Sequence, residues 1–149
     1  MLFRSATLVL QAEAEGQKGE QDDALKHLQQ ALPLIDAQVG PGSLTARQAR
    51  VVLGEVQARR AGAADDARVA FAMALSPSAD KPTAASPTRT WLRARASLGL
   101  ARLALSHDRA QALKLAREVQ TQMAGDAESL RGQQLLQQAR QVEARALAQ

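Results

Sequence analysis

Apolar residues return along this chain at the spacing of a helix. Leu25, Leu28, Ala31 and Leu32 fall at i, i+3, i+6 and i+7, one face of a 3.6-residue period. Ala67, Ala70, Phe71, Ala74 and Leu75 do the same, as do Leu98, Ala101 and Leu105, and then Ala112, Leu115, Ala116 and Val119. Polar residues fill the positions between them. The pattern predicts helices over 3–17, 21–38, 45–61, 64–76, 87–105, 109–123 and 127–147.

Three interruptions separate these segments. Gly40-Pro41-Gly42 breaks any helix. The stretch 76–87 is rich in Pro and Ser, lacks periodicity and reads as a loop. Gly125-Asp126 reads as a helix C-cap followed by an N-cap. Gly19 and Gly62 each precede Asp-Asp-Ala or Ala-Ala-Asp-Asp and mark tight turns inside hairpins, with Ser106-His107-Asp108 at the equivalent place of a third. Thr45 with Gln48 has the spacing of a capping box. Ser86-Pro87 fits an N-cap followed by proline at the first helical position. Pro33 inside the second segment is expected to kink or shorten it, because it removes a backbone donor and crowds the preceding turn.

The hairpins repeat. Asp22-Asp23-Ala24, Leu28 and Ala31-Leu32 recur as Asp65-Asp66-Ala67, Phe71 and Ala74-Leu75, and more weakly as Ala112, Ala116 and Val119. Leu53-Gly54 recurs 45 residues later as Leu98-Gly99, while the first copy carries Gln11-Ala12 there. The order Leu53-Gly54, Gly62, Ala67, Phe71, Ala74 resembles the tetratricopeptide repeat family over roughly residues 5–123. The spacing exceeds that family's usual period of about 34 residues and looks like the longer variant of kinesin light chains and many bacterial regulatory proteins. The resemblance implies a single α-solenoid domain over 1–149. It would be a right-handed superhelical array of hairpins at 3–38, 45–76 and 87–123, with a solvating capping helix at 127–147. Small residues at Ala24, Gly54, Ala67 and Gly99 would stand where helices approach most closely, so larger ones there would cost about 1–3 kcal/mol.

Composition supports an all-α fold. Hydrophobic residues make up 46% but aromatics 2%, so the apolar content is mainly Ala, Leu and Val, too poor in aromatics for a β-sandwich or barrel. With 149 residues one domain is expected. The net charge of +4 is spread along every segment and interleaved with Asp and Glu, which describes a solvated surface. There is no cysteine, hence no disulfide, thiolate metal site or thiol nucleophile. No apolar run approaches the roughly 20 residues a membrane span needs, and no signal-peptide cleavage site is evident. The cytoplasm is the expected compartment, and the periplasm suits such a chain as well. A start that opens directly into a helix suggests a piece of a larger protein.

Catalytic chemistry finds little to stand on. His27 and His107 are 80 residues apart, and no carboxylates accompany them at metal-ligand spacing. Asp22-Asp23 and Asp65-Asp66 are paired carboxylates, but their recurrence at one repeat position fits helix N-termini instead. Gly40-Pro41-Gly42 lacks the Lys-Ser/Thr of a phosphate loop. Trp91, between Arg89 and Arg93, could stack a base but reads first as a packing anchor. The expectation is a non-enzyme without cofactor or metal.

In the family the first helix of each hairpin lines a concave groove. Carried over, this gives Val9 and Glu13, then Gln48, Val51, Val52, Glu55 and Arg59, then Arg93, Ser97, Leu100 and Leu103. Only Arg93 has a suitable charge for gripping a C-terminal carboxylate, so a chaperone-tail clamp is not expected. The resemblance therefore implies a scaffold that holds a peptide or helix of a partner protein, as part of a bacterial regulatory or signalling protein. Two alternatives stand beside it. One is nucleic-acid binding through Arg47, Arg50, Arg59, Arg60, Arg89, Arg93, Arg95 and Arg102. The other is self-assembly through terminal repeats.

Overall fold

The computed structural model describes residues 2–76 and 86–148, with the side chains of residues 2 and 3 outside that description. Most of the expected loop 76–87 therefore lies outside the described residues. The described chain is all-α, with seven α-helices and no strand. It divides into two compact units, Met1–Thr83 and Ala84–Gln149.

The first unit holds α1 (Leu2–Lys18), α2 (Gln21–Val39), α3 (Leu44–Ala58) and α4 (Ala64–Leu75). Helix α1 packs on α2, and α3 packs on both; α4 packs on α3. The core joins Val9 and Ala12 of α1, Ala24, Leu28, Ala31 and Ile35 of α2, and Ala46, Ala49, Val52 and Val56 of α3. Four of these are the i, i+4, i+7, i+11 stripe of α2. Gly19 and Gly62 take φ of +89° and +76°, the left-handed region where a Cβ would be strained, and so permit the short turns into α2 and α4. Asp22, Asp23, Asp65 and Asp66 stand in the first turns of α2 and α4, against the positive end of the helix dipole.

Between α3 and α4 the contact is close. A Cβ built on Gly54 would come within 2.5 Å of the Phe71 ring, so glycine is what lets this phenylalanine fill the seam. Phe71 is 1% exposed. Ala24, Gly54, Ala67 and Gly99 are all buried, as expected for small residues at close approaches.

The second unit holds α5 (Pro87–Ala104), α6 (Arg109–Met123) and α7 (Leu130–Leu147). Helix α5 packs on α6, and α7 packs on both, the same pairing as among α1, α2 and α3. Their core is built from Ala94, Leu98 and Ala101, then Leu115, Ala116, Val119 and Met123, then Leu135, Leu136, Ala139 and Val142.

Three local signals act otherwise than expected, and α3 ends at Ala58 instead of 61. The N-cap of α3 is Ser43, whose Oγ accepts from Ala46 N at 3.1 Å, so Thr45 lies inside the helix instead of capping it. Helix α2 continues through the exposed Pro33 to Val39 without being shortened. The outward side of a helix can lose one backbone bond to water at little cost. Helix α7 starts at Leu130, not 127, because Ala124–Asp126 forms a single 3₁₀ turn and Ser129 provides the cap. Asp126 O accepts from both the backbone N (3.2 Å) and Oγ (3.0 Å) of Ser129, while Ser129 Oγ accepts from Gly132 N at 3.0 Å.

That closed turn leaves no room beside Gly132. A Cβ there would lie 1.9 Å from Asp126 O, a backbone atom that cannot move alone. Alanine would ordinarily strengthen a helix by about 1 kcal/mol over glycine. At Gly132→Ala the opposite sign is expected, a loss of about 1–3 kcal/mol in urea-unfolding stability, because the turn must open.

Candidate interaction surface

The first helices α1, α3 and α5 carry ten of the eleven residues expected to line a groove, and the eleventh, Arg59, is the C-cap of α3. Val9 and Val52 belong to the core of the first unit, and Val51 and Ser97 are also buried. Glu13, Gln48, Glu55, Leu100 and Leu103 are half-buried, and Arg93 is exposed. The first unit therefore brings Glu13, Gln48 and Glu55 onto two helices in mutual contact. The second gathers Arg93, Leu100 and Leu103 on α5. Leu100 packs against the core of the second unit, so five of the eleven, Glu13, Gln48, Glu55, Arg93 and Leu103, lie outside both cores on these helices.

Arg59 has a different occupation. Its NH1 donates to Gly16 O at 2.7 Å, joining Gln21 Nε2 (2.9 Å) at the same carbonyl near the end of α1. Close to it, a Cβ on Gly16 would come within 3.2 Å of Val56 of α3. Arg59 thus ties α3 to the C-terminal end of α1, where a cation is favoured by the helix dipole.

Other arginines are employed in the same way. Arg47, 6% exposed, donates to Gly42 O, Ala74 O and Ser76 O at 3.3, 2.7 and 2.8 Å. Arg50, equally buried, reaches Asp36 of α2 at 2.7 Å. Arg60 lies 3.4 Å from Asp22. In the second unit the guanidinium groups of Arg95 and Arg131 lie over the Trp91 ring at 4.7 and 4.9 Å from its centroid. Trp91 is half-buried against the second core, a packing anchor with two cations already on its ring. So Arg47, Arg50, Arg59 and Arg95, four of the eight arginines weighed as a nucleic-acid face, are engaged within the fold, and Arg60 faces an exposed aspartate.

The histidines do local work. His27 Nδ1 meets Glu15 Oε2 at 2.8 Å and links α2 to α1, both side chains mostly buried. His107 Nδ1–H donates to Ala104 O at 3.3 Å in the turn before α6. Among the described residues no three His, Cys, Asp or Glu side chains come together as a metal site. No helix among them is long and apolar enough to cross a membrane.

Between α5 and α7 runs a groove of about 440 Å³, bordered by Arg102 on α5 and Gln138, Gln141, Val142, Ala144 and Arg145 on α7. The sequence reading treats α7 as a solvating cap and misses it. The available signal is the spacing of Gln138, Gln141 and Arg145 at i, i+3 and i+7, a polar stripe beside the apolar one.

On the other side of α7, Glu143 accepts from Gln120 Nε2 and from Arg117 Nε at 3.2 Å. The hydrogen bond from Gln120, then that from Arg117, holds its carboxyl below the usual carboxylate range. A folded-state value below the unfolded one adds stability above the ordinary value near about pH 4. That stability is lost as pH falls through the lower, folded value. The urea midpoint of the wild type is therefore expected to drop on acidification from about pH 5 to pH 3 more than that of Glu143→Gln, which lacks the titrating group.

No family model, no curated protein and no solved structure matches this chain.

Proposed function

We propose that this chain is a protein–protein interaction scaffold of the tetratricopeptide type, its hairpins belonging to a right-handed superhelical array. It holds a peptide or helix of a partner on the side formed by the first helices, as part of a bacterial regulatory or signalling protein. One observation carries the reading. In the triad α1, α2, α3 and in the triad α5, α6, α7 the same pairs touch: two consecutive helices pack together and the following helix contacts both. That is the unit from which stacked repeats are built. The Gly54–Phe71 contact supports it at the level of single residues.

The role is binding without catalysis. The histidines and paired aspartates serve helix termini and helix–helix contacts, and the first helices of each unit by itself offer mixed contacts to an extended segment: Glu13, Gln48 and Glu55 in the first unit, Arg93 and Leu103 in the second.

Site-specific photo-crosslinking tests this. A benzophenone amino acid is placed at Gln48 or Arg93 on the first helices, or at the exposed Lys26 or Lys114 on the second helices, and the chain is mixed with nuclease-treated lysate. Protein adducts from Gln48 and Arg93, and none from Lys26 and Lys114, are expected. Adducts from Lys26 and Lys114 alone would place binding on the other helices and overturn the reading. Recovery of nucleic acid alone without nuclease would replace it with the basic-surface alternative.

A further inference from the structure

We infer that Met73 is an oxidation site, at which a hydroperoxide turns the outward face of α4 from apolar to polar while the fold stays intact. The chain has no cysteine, so no thiol competes for such an oxidant, and the soft thioether sulfur of methionine takes it instead. Two of the three methionines, Met73 and Met123, lie among the described residues, and their surroundings are opposite. Met73 is 47% exposed on the outer side of α4. Met123 is 1% exposed and belongs to the core of the second unit with Leu115, Val119 and Leu136. A hydroperoxide has to reach the sulfur from solvent. Met73 is therefore open to it in the folded chain, and Met123 only when its core opens.

The step balances without help from the protein. A sulfur lone pair attacks one peroxide oxygen, the S–O bond forms and the O–O bond breaks. With hydrogen peroxide, the proton on the attacked oxygen passes to the departing hydroxide, which leaves as water. Sulfur gives up two electrons and the peroxide takes them. The product, methionine sulfoxide, carries a polar S–O group where the thioether was apolar.

The hairpin repeat shows what that group changes. Matching Ala24, Ala67 and Ala112 sets Val69 and Met73 of α4 against Lys26 and Gln30 of α2, and against Lys114 and Glu118 of α6. All six are exposed, and only α4 carries apolar side chains there. Val69, 59% exposed, stands one turn before Met73 on the same side of the helix. Oxidation of Met73 thus moves this face toward the polar surface of its two sister helices. Met73 belongs to neither core, so its sulfoxide breaks no packing, whereas a sulfoxide at Met123 would place a polar group among Leu and Val side chains.

The experiment treats the full chain with hydrogen peroxide at neutral pH, quenches with free methionine and digests with trypsin. Mass spectrometry then follows the uptake of one oxygen by the peptide 69–89, which holds Met73, and by the peptide 118–131, which holds Met123. Met1 falls in a peptide of its own, and Met73→Leu treated in parallel is its control. In the folded chain Met73 is expected to oxidise at least about tenfold faster than Met123. In unfolding urea the two rates should become equal. The chain oxidised at Met73 is expected to keep the urea midpoint of untreated chain. Equal rates in the folded chain, or the same tenfold preference retained in urea, would show that the fold does not select Met73 and would overturn the inference. A lowered urea midpoint after oxidation at Met73, absent in Met73→Leu, would place its sulfur in the packing and overturn it as well.

Discussion

Truncating Phe71 to alanine is expected to destabilise the first unit by about 3–5 kcal/mol, the range for emptying a buried aromatic site. The ring is 1% exposed and fills the seam between α3 and α4 against Gly54. Helix α4 packs on α3 within this unit, so the seam is its main attachment there. The more informative result comes from a pair of changes. Gly54→Ala alone is expected to cost about 1–3 kcal/mol, because its Cβ would meet the ring at 2.5 Å. In a Phe71→Leu background the same change should become neutral or favourable. The smaller side chain vacates the space, and alanine recovers about 1 kcal/mol of helix propensity. The double variant has a precedent inside the chain. The first hairpin carries Ala12 and Leu28 at the positions matching Gly54 and Phe71, and both are fully buried in one core. Large partner with glycine and medium partner with alanine are two solutions of the same packing problem. A double-mutant cycle in urea should therefore give a coupling of at least about 1 kcal/mol, and additive effects would show that the ring and Gly54 do not share the seam.

The helices were legible because their signals are local. Periodicity, Ser86-Pro87, and the turn glycines 19 and 62 act within a few residues, and the helix limits fall within three residues of expectation. Two start signals misled for a physical reason. Thr45 has the right spacing to a glutamine, but Ser43 stands two residues earlier in extended backbone, where its hydroxyl reaches Ala46 N. Gly125-Asp126 has cap chemistry, yet the room reserved by Gly132 lets the chain tighten into a 3₁₀ turn first. The candidate site was less legible. Family register puts Val9 and Val52 on the groove side, while their apolar side chains are drawn into the core. Periodicity names a buried face but does not say how far around the helix the neighbours wrap. The arginines were least legible of all, since a guanidinium on a long stem looks the same in sequence whether it meets water or a carbonyl 27 or 43 residues away. Sequence assigns Arg47, Arg50 and Arg59 to a charged surface, and the structure assigns each to another helix's end.

Arg47 makes that assignment testable. It stands in the second turn of α3, near the positive end of the helix dipole, where a cation is disfavoured. What compensates is the end of α4, whose last turn contains no basic residue of its own. NH1 and NH2 reach Ala74 O and Ser76 O, carbonyls that α4 leaves without helical partners, and Nε reaches Gly42 O in the connection before α3. Arg47→Met keeps much of the stem and its apolar contacts but removes every donor. Leaving these carbonyls without their charged donor, at about 1–3 kcal/mol for a buried one, gives an expected loss of about 2–5 kcal/mol. Arg47→Lys retains the charge but offers a single point instead of a planar fork, so it can serve one of the two α4 carbonyls at a time and should fall between wild type and Met. Hydrogen exchange separates this from a general loss of core packing. Amides of α4 should lose protection first in Arg47→Met, while those of α1 and α2, held by Arg59 and Arg50, keep theirs. Uniform loss across the unit, or a Met variant as stable as wild type, would show that the guanidinium does not cap α4.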